Sequence, residues 1–206
     1  MTLDALERPA EGEPAGTLVL LHGRGADEHD LYPLLDALDP ERRLRGLTPG
    51  GPLALPPGGR HWYRLGGIPT PEAETFWPSF TALAELLDGV QQPLVLGGFS
   101  QGAVMSYALG LGRGAAVRPA ALLPLSGFMP EVEGLVLDLT GLDGYPVAMA
   151  HGSLDPVIDV SWSRAARDTL TNAGADVTYH EAPIPHTIDP GFVPVLRAFV
   201  ASATGR

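Results

Sequence analysis

The feature that most limits the fold of this chain lies in residues 93–102, where an apolar strand pattern runs directly into a helical one. The junction places Gly98 two residues before Ser100 and Gly102 two residues after it. A turn this tight brings those two positions so close together that side chains would collide there, so both are glycine. The pattern predicts a strained backbone at Ser100 and a hydroxyl presented at the carboxyl end of a sheet.

Short apolar runs alternate with longer amphipathic segments along the chain. We predict strands over residues 17–22, 43–48, 93–99, 120–125, 145–150 and 176–180. Helical spacing of apolar residues occurs over residues 31–38, 76–87 and 192–199. Strand, helix, strand in repetition requires crossover connections, which predicts an α/β architecture with a mostly parallel central sheet and helices on both faces. Residues 3–8 are a weaker candidate for an antiparallel edge strand, and the length predicts one domain over residues 1–206.

A serine nucleophile needs a histidine as base and an acid to orient that base. In α/β-hydrolases these residues follow in the order serine, acid, histidine. Asp155 comes in a turn just after the strand predicted over residues 145–150, and His186 ends a Pro-rich loop after the strand predicted over 176–180. We therefore predict Ser100, Asp155 and His186 as the catalytic residues of an α/β-hydrolase fold.

Other residues compete for these functions. Asp159 is a rival carboxylate, although capping the next helix suits it better, and Asp155 has the alternative of a simple turn residue. His180 also follows Asp155 but lies inside a strand pattern. His22 and His151 each precede a glycine at the end of a strand, where a hydrogen bond that braces the loop is the preferred interpretation.

Attack on a carbonyl also needs N–H donors for the oxygen that becomes negative. One candidate donor is the backbone amide of Gln101, at a helix start, where N–H groups have no internal partner. The other is the backbone amide of Arg24, in a glycine-rich loop after the first core strand. The Arg24 side chain either faces solvent or reaches a carboxylate of the substrate, and both alternatives stay open.

A long Pro- and Gly-rich stretch surrounds Trp62 and Tyr63. Such a loop is either an irregular connection whose aromatic rings pack onto the core or a wall of the active site. We take these two residues, with Phe128 and Met129, as candidate substrate-binding residues. Residues 126–144 are too few for an inserted helical cap domain, so we expect an open pocket suited to short-to-medium acyl chains.

The composition excludes several classes of function. The chain has 13 Lys+Arg against 24 Asp+Glu, and its net charge of −11 repels nucleic acids and anionic membrane surfaces. Lysine is absent, so Schiff-base and Ser-Lys chemistry lack an amine, and the absence of cysteine excludes thiol nucleophiles and disulfides. The histidines show no HxH or HExxH spacing, so we expect no metal and no cofactor. No segment approaches the roughly 20 apolar residues of a membrane span, so we expect a cytoplasmic protein without integral membrane association.

Several short motifs occur in a fixed order along the chain. They are Leu-His-Gly-x-Gly at 21–25, Gly-Phe-Ser-Gln-Gly at 98–102, Leu-Ser-Gly-Phe at 125–128, His-Gly-x-x-Asp-Pro-Val-Ile at 151–158 and His-Thr-Ile at 186–188. With them the chain resembles, over nearly its whole length, the phospholipase/carboxylesterase family, which includes acyl-protein thioesterases and small bacterial carboxylesterases. The resemblance implies a small α/β-hydrolase without a separate lid domain, the catalytic residues named above and an oxyanion hole formed by the amides of Arg24 and Gln101. Acyl-protein thioesterases commonly have an apolar residue where Arg24 stands, so a bacterial-type carboxylesterase is the closer likeness.

We therefore expect a serine carboxylesterase that hydrolyses esters of short-to-medium acyl chains through an acyl-enzyme. An acyl-protein thioesterase or lysophospholipase is the alternative among enzymes. A catalytically silent ligand-binding homologue is the alternative outside them, although such a protein would be expected to lack one of the three catalytic residues. The expected partner is a small-molecule ester and not a nucleic acid, and a homodimer is the alternative to a monomer.

Overall fold

A seven-stranded sheet forms the centre of the molecule in the computed structural model, which describes residues 2–115 and 117–205. The strands are β1 (Ala5–Arg8), β2 (Thr17–Leu21), β3 (Arg45–Pro49), β4 (Leu53–Leu55), β5 (Gly59–His61), β6 (Leu94–Phe99), β7 (Ala121–Leu125), β8 (Pro146–Gly152) and β9 (Asp176–Ala182). The helices are α1 (Tyr32–Leu38), α2 (Ala73–Asp88), α3 (Gln101–Leu111), α4 (Val160–Asn172) and α5 (Val193–Ala203), with a 3-10 turn over Pro190–Phe192.

The strand order in the sheet is β1-β3-β2-β6-β7-β8-β9. β1 pairs antiparallel with β3, every other neighbouring pair in this sheet is parallel, and β4 and β5 form a separate antiparallel hairpin. The mostly parallel sheet and its antiparallel edge strand are therefore confirmed. The boundaries differ slightly from those expected, because β3 begins two residues later and the pairing of β8 with β9 continues to Gly152 and Ala182.

Apolar side chains alternate between the two faces of the sheet, as the pleat of a strand requires. Along β2, Val19 and Leu21 pack into the core beneath α2, α3 and α4, whereas Leu18 and Leu20 pack into the core beneath α1 and α5. Every residue of α3 is buried, because this helix lies between the sheet and α2. Helices therefore cover both faces of the sheet.

The carboxyl ends of the parallel strands point to one edge of the sheet, where ligand sites of such folds form. The loops after β2, β6, β8 and β9 meet there. Residues 126–145, between β7 and β8, contain turns and an isolated bridge but no helix, so no helical cap is inserted at this point. In the part of the chain that the structure describes, no helix is both long and apolar enough to cross a membrane.

Candidate active site

Ser100 lies between β6 and α3, where the strand turns directly into the helix. Its backbone angles, φ of 56° and ψ of −118°, lie outside the regions that residues other than glycine usually adopt. A side chain on Gly98 would collide with the backbone of Gly102, and one on Gly102 would collide with the carbonyl of Leu21. The strained serine and the close approach at both glycines confirm the expected strand-to-helix turn.

Ser100, His186 and Asp155 form a continuous hydrogen-bonded line. Ser100 Oγ is 2.9 Å from His186 Nε2, and His186 Nδ1 is 2.5 Å from Asp155 Oδ2. The three residues come from the end of β6, the turn after β8 and the loop after β9. An imidazole held in this way can accept the serine proton at Nε2 while its Nδ1–H donates to the carboxylate.

The Asp155 carboxylate is fixed by further donors. Its Oδ1 accepts the backbone N–H groups of Val157 at 2.8 Å and Ile158 at 3.0 Å. Burial raises the pKa of Asp155, but the hydrogen bonds from Ile158, the His186 ring and Val157 outweigh burial and hold the pKa below its usual range. The ionised carboxylate is only an acceptor, so the Nδ1 of His186 must carry the proton between them.

His151, near the end of β8, braces the turn that carries Asp155. Its buried ring has Nε2 at 2.9 Å from the carbonyl of Ile158 and 3.2 Å from Asp155 Oδ2. The loop-bracing interpretation of this histidine is confirmed, with a contact to the acid that the sequence did not indicate. The rival carboxylate of Asp159 instead accepts the N–H of Ser161 at 2.8 Å and caps α4.

His180 lies in β9, as expected, and it contributes to the loop that carries His186. Its Nε2 is 2.6 Å from Asp189 Oδ2, and its ring stacks on Phe192 at 4.5 Å between centroids. Asp189 also accepts the N–H of Gly191, at the start of the 3-10 turn. The pair of His180 and Asp189 therefore ties the two ends of this loop together, while His186 faces Ser100.

His22 braces the loop after β2. Its Nδ1 donates to the carbonyl of Gly23 at 2.7 Å, and its Nε2 accepts the N–H of Gly51 at 2.8 Å. Burial lowers the pKa of His22 by more than the Gly23 hydrogen bond and nearby carboxylates raise it. The ring is therefore neutral and makes one hydrogen bond through each nitrogen, which confirms the bracing interpretation.

Arg24, in this loop, and Gln101, the first residue of α3, line the same cavity as Ser100. Among the residues described, neither backbone N–H has an acceptor. The loop itself is clamped by β5, because Gly25 N–H donates to the carbonyl of Arg60 at 2.8 Å. Both residues therefore combine a place in the wall of the Ser100 cavity with a backbone amide that has no acceptor among the described residues.

The structure corrects the expectation for Trp62, which we took as a wall of the substrate site. Trp62 is completely buried, and its Nε1–H donates to the carbonyl of His22 at 2.8 Å. Its backbone N–H donates to Gln101 Oε1 at 3.1 Å, Gln101 Nε2 donates to the carbonyl of Tyr63 at 2.9 Å, and Ser79 Oγ donates to the Trp62 carbonyl. Trp62 therefore joins the two segments that carry the free amides, which sequence spacing alone could not reveal.

A cavity of about 370 Å³ opens beside Ser100, a volume within the range of small-molecule sites. Tyr63 and Phe128 lie in its wall, where we expected them, but Met129 packs against the core and, like Trp62, is not among the described residues that line the cavity. Sequence reasoning missed the other apolar wall residues. Their signals were apolar positions inside a Gly- and Pro-rich loop and directly after the acid: Leu65, Gly67, Ile68, Val157 and Ile158.

One group of side chains in the described residues has the spacing to hold a metal ion. Asp27, Glu28 and His29 each offer one ligand atom within 4.8 Å of the others. Asp27 Oδ1 accepts the N–H of His29 at 2.9 Å, and Glu28 lies 3.5 Å from the guanidinium of Arg60. None of the three lines the cavity beside Ser100.

Comparison with known proteins finds relatives in sequence and in fold. The sequence is 27% identical over 188 residues to acyl-protein thioesterase 1 of Yarrowia lipolytica, across 82% of both proteins. It is 33% identical over 126 residues to acyl-protein thioesterase 1 of Mycosarcoma maydis. That match covers 57% of this chain and spans only about half, 52%, of the length of that protein. The fold is similar to that of the Bacillus cereus carboxylesterase, with a TM-score of 0.81 and 25% identity, across 98% of this chain and 94% of the other.

A match to a whole family covers almost the entire chain, from residue 7 to residue 204. The mostly parallel sheet with helices on both faces is the α/β-hydrolase fold, shared with the carboxylesterase above. The family and these relatives are esterases and thioesterases. The chain belongs to the phospholipase/carboxylesterase family.

Proposed function

We propose that this protein is a serine carboxylesterase in which Ser100 is the nucleophile, His186 is the general base and Asp155 orients the base. The observation that carries the proposal is the hydrogen-bonded line between these residues, which ends in the same cavity as two unpaired backbone amides. Such a line lets the serine lose its proton as it attacks, and the amides meet the charge that attack creates.

In the first half of the reaction, Ser100 Oγ attacks the carbonyl carbon of the ester while its proton passes to His186 Nε2. The amides of Arg24 and Gln101 stabilise the oxygen that becomes negative, and the loss of one such donor costs about 2.7–4 kcal/mol in a serine protease. Asp155, already ionised, stabilises the imidazolium. His186 then gives its proton to the alcohol oxygen, the C–O bond breaks, and the acyl group remains on Ser100.

Water completes the reaction. His186, now neutral again, takes a proton from a water molecule that attacks the acyl carbon, and the same two amides stabilise the second tetrahedral intermediate. The intermediate collapses, the proton returns to Ser100 Oγ, and the carboxylic acid leaves. The proton moves through one histidine in both halves of the cycle.

The cavity supports a preference for esters with short-to-medium acyl chains. Its apolar wall includes Tyr63, Phe128 and Ile158, and residues 126–145 place no helix over it. Each buried CH₂ contributes about 0.8 kcal/mol, so rates should rise with chain length until the acyl group extends past this wall. We expect the optimum at roughly two to six carbons.

Thioester hydrolysis is the second candidate function, because the relatives from Yarrowia lipolytica and Mycosarcoma maydis are acyl-protein thioesterases. The same nucleophile and amides serve either reaction, since an oxygen ester and a thioester pass through similar tetrahedral intermediates. Matched oxygen and thio esters of one acyl chain separate the two, because the ratio of their kcat/KM values does not depend on acyl binding.

The proposal is tested with a series of p-nitrophenyl esters from acetate to palmitate, assayed with the wild type and with Ser100→Ala. We expect hydrolysis by the wild type with a maximum at short chains, and a loss of about 10⁴-fold or more in the variant. A circular dichroism spectrum of the variant verifies that its fold is intact. If a folded variant kept more than about a hundredth of the activity, Ser100 would not be the nucleophile. A maximum at palmitate would contradict the short-chain preference.

A further inference from the structure

One arginine, Arg24, is among the residues that line the cavity beside Ser100. The described residues that line it include no carboxylate. The rest of the lining is apolar or uncharged apart from the His186 ring. Small-molecule sites of this kind use a few polar or charged groups in an apolar wall to fix the orientation of a ligand.

The Arg24 side chain is exposed and, within residues 2–115 and 117–205, makes no salt bridge or hydrogen bond. Arginines elsewhere in the chain do pair with acids: Arg45 contacts Glu7 and Arg164 contacts Glu181, both at 2.6 Å. In a chain with 24 acidic and 13 basic residues, partners are plentiful. An arginine that stays unpaired beside the candidate nucleophile is therefore available to a ligand.

The charge of Arg24 acts on the Tyr63 side of the cavity. Burial is the main cause that lowers the pKa of His61, and the charges of Arg24 and Arg64 lower it further. His61 Nδ1 is 3.2 Å from the carbonyl of Tyr63, and Tyr63 lies in the cavity wall. Arg24 and Tyr63 thus both line the cavity, and the charge of Arg24 acts on His61, whose ring contacts the Tyr63 carbonyl.

The backbone at Arg24 is fixed, although its side chain is free. Arg60 N–H donates to the carbonyl of Ala26 at 2.8 Å, and a side chain on Gly59 would collide with the backbone of Gly25. The guanidinium therefore extends from a rigid point, the residue whose backbone amide is a candidate oxyanion donor. A charge anchored in this way can select a ligand group at a defined distance from the reacting carbonyl.

We propose that the Arg24 side chain binds a carboxylate of the substrate, so that the enzyme prefers esters carrying this negative charge over neutral esters of equal length. The proposal rests on the esterase function above. A planar guanidinium donates two parallel hydrogen bonds to a carboxylate, which gives the pair both strength and direction. Because the net charge of −11 repels anions at long range, a local cation is needed to admit such a ligand.

The test uses two matched pairs of substrates. The first pair places the charge on the acyl side: the p-nitrophenyl half-ester of glutarate against p-nitrophenyl valerate. The second pair places it on the alcohol side: 4-acetoxybenzoate against methyl 4-acetoxybenzoate, its neutral methyl ester at the carboxylate. The quantity measured is the ratio of kcat/KM for the anionic ester to that for its neutral partner, because general losses of activity cancel in it.

We expect the wild type to favour the anionic ester in at least one pair, and Arg24→Gln to lower that ratio by about 10-fold or more. Arg24→Lys should keep part of the preference, since it retains the charge without the paired N–H groups. Arg64→Gln is the matched control, because the charge of Arg64 also lowers the pKa of His61 but Arg64 does not line the cavity. The ratio for this variant should stay within about twofold of the wild-type ratio. The preference of the wild type should also decline as salt is added.

The outcomes separate this proposal from the esterase function. If neutral esters are hydrolysed but Arg24→Gln leaves both ratios unchanged, the side chain does not bind the substrate and only this inference is overturned. If Arg64→Gln lowers the ratio as much as Arg24→Gln, the effect is a diffuse field and the specific contact is overturned. If no ester is hydrolysed at all, the esterase function fails and this inference fails with it.

Discussion

The catalytic side of the cavity and its outer wall are built in different ways. On the catalytic side, the line from Ser100 to Asp155 is held by hydrogen bonds at each step, and the loops around it are tied to one another. The outer wall instead contains Leu65, Ile68 and Val157, which are 66%, 39% and 60% exposed. These three side chains offer apolar surface, which attracts without direction.

This contrast indicates how the two sides would divide the work. Developing charge must be met at fixed positions, so the catalytic side needs rigid donors and acceptors. An acyl chain needs only apolar area, which an exposed loop provides with little precision. We therefore expect changes on the catalytic side to lower kcat, and changes in the outer wall to alter the binding of longer substrates.

The largest effect should come from His186→Gln, which removes the base. We expect kcat to fall on the order of 10⁶-fold, as in other serine hydrolases that lose their histidine. His180→Gln is the control, because His180 contacts Asp189 and not Ser100. Initial-rate assays with p-nitrophenyl butyrate give kcat for both variants. Equal losses in the two variants would contradict the distinction between these histidines.

The pH dependence of activity tests the assignment of His186 as the base. His186 must be neutral to accept the serine proton, so activity should rise with pH along one acid limb. Asp155 does not add a second limb there, because its lowered pKa keeps the carboxylate ionised until the pH falls below its usual range. Two resolved acid limbs in kcat/KM between pH 4 and pH 8 would contradict this assignment.

Asp155→Asn should be the next largest change. The amide presents an N–H where the carboxylate accepted one, which disfavours the Nδ1–H tautomer of His186, and we expect kcat to fall about 10⁴-fold. Asp159→Asn tests the rival carboxylate, which caps α4; asparagine caps a helix about as well as aspartate, so both activity and thermal stability should stay close to those of the wild type. If Asp159→Asn abolished activity while Asp155→Asn did not, the acid would have been assigned incorrectly.

Trp62→Phe tests whether the catalytic side depends on its ties. The change removes the Nε1–H donor and leaves the buried His22 carbonyl without that partner, which costs about 1–3 kcal/mol. We expect kcat to fall about 10-fold for esters of every length, because the loop that carries the Arg24 amide is loosened. Trp77→Phe is a matched control, since Trp77 Nε1 donates to the carbonyl of Glu133 at the surface. An increase in KM with kcat unchanged would contradict this and would indicate that Trp62 acts in substrate binding.

The smallest effect should come from the outer wall. Leu65→Ser removes apolar surface at the mouth of the cavity, so the ratio of kcat/KM for the hexanoate ester to that for the acetate ester should fall about threefold. Val136→Ser is the control, because Val136 is 52% exposed and is not among the described residues that line this cavity. A change in kcat for both esters alike would contradict the division between the two sides.

The sequence predicted most of the fold because strands and helices leave a periodic pattern of apolar residues. It also indicated Ser100, because a tight strand-to-helix turn demands Gly98 and Gly102 at fixed spacing. The hydrogen-bonded line of Ser100, Asp155 and His186 was accessible from the order of the strands, since each residue follows one strand end.

The rest depended on contacts between distant segments. Trp62 donates to the carbonyl of His22, 40 residues away, and no local pattern specifies that pairing. The contact of His151 with Asp155 joins residues only four apart, but it depends on the shape of the turn after β8, which strand periodicity does not predict. Leu65 and Ile68 lie in an irregular loop. Such a loop has no regular repeat from which to predict the side chains that face the cavity.

The central claim, that Ser100 is an activated nucleophile, is tested most directly by covalent labelling with a fluorophosphonate followed by peptide mass spectrometry. We expect one phosphonyl group per chain, on the peptide that contains Ser100, and no labelling of Ser100→Ala under the same conditions. Labelling should also slow as the pH falls, since His186 must be neutral to activate the serine. A label on a different serine, or ester hydrolysis that continues after complete labelling of Ser100, would contradict the claim.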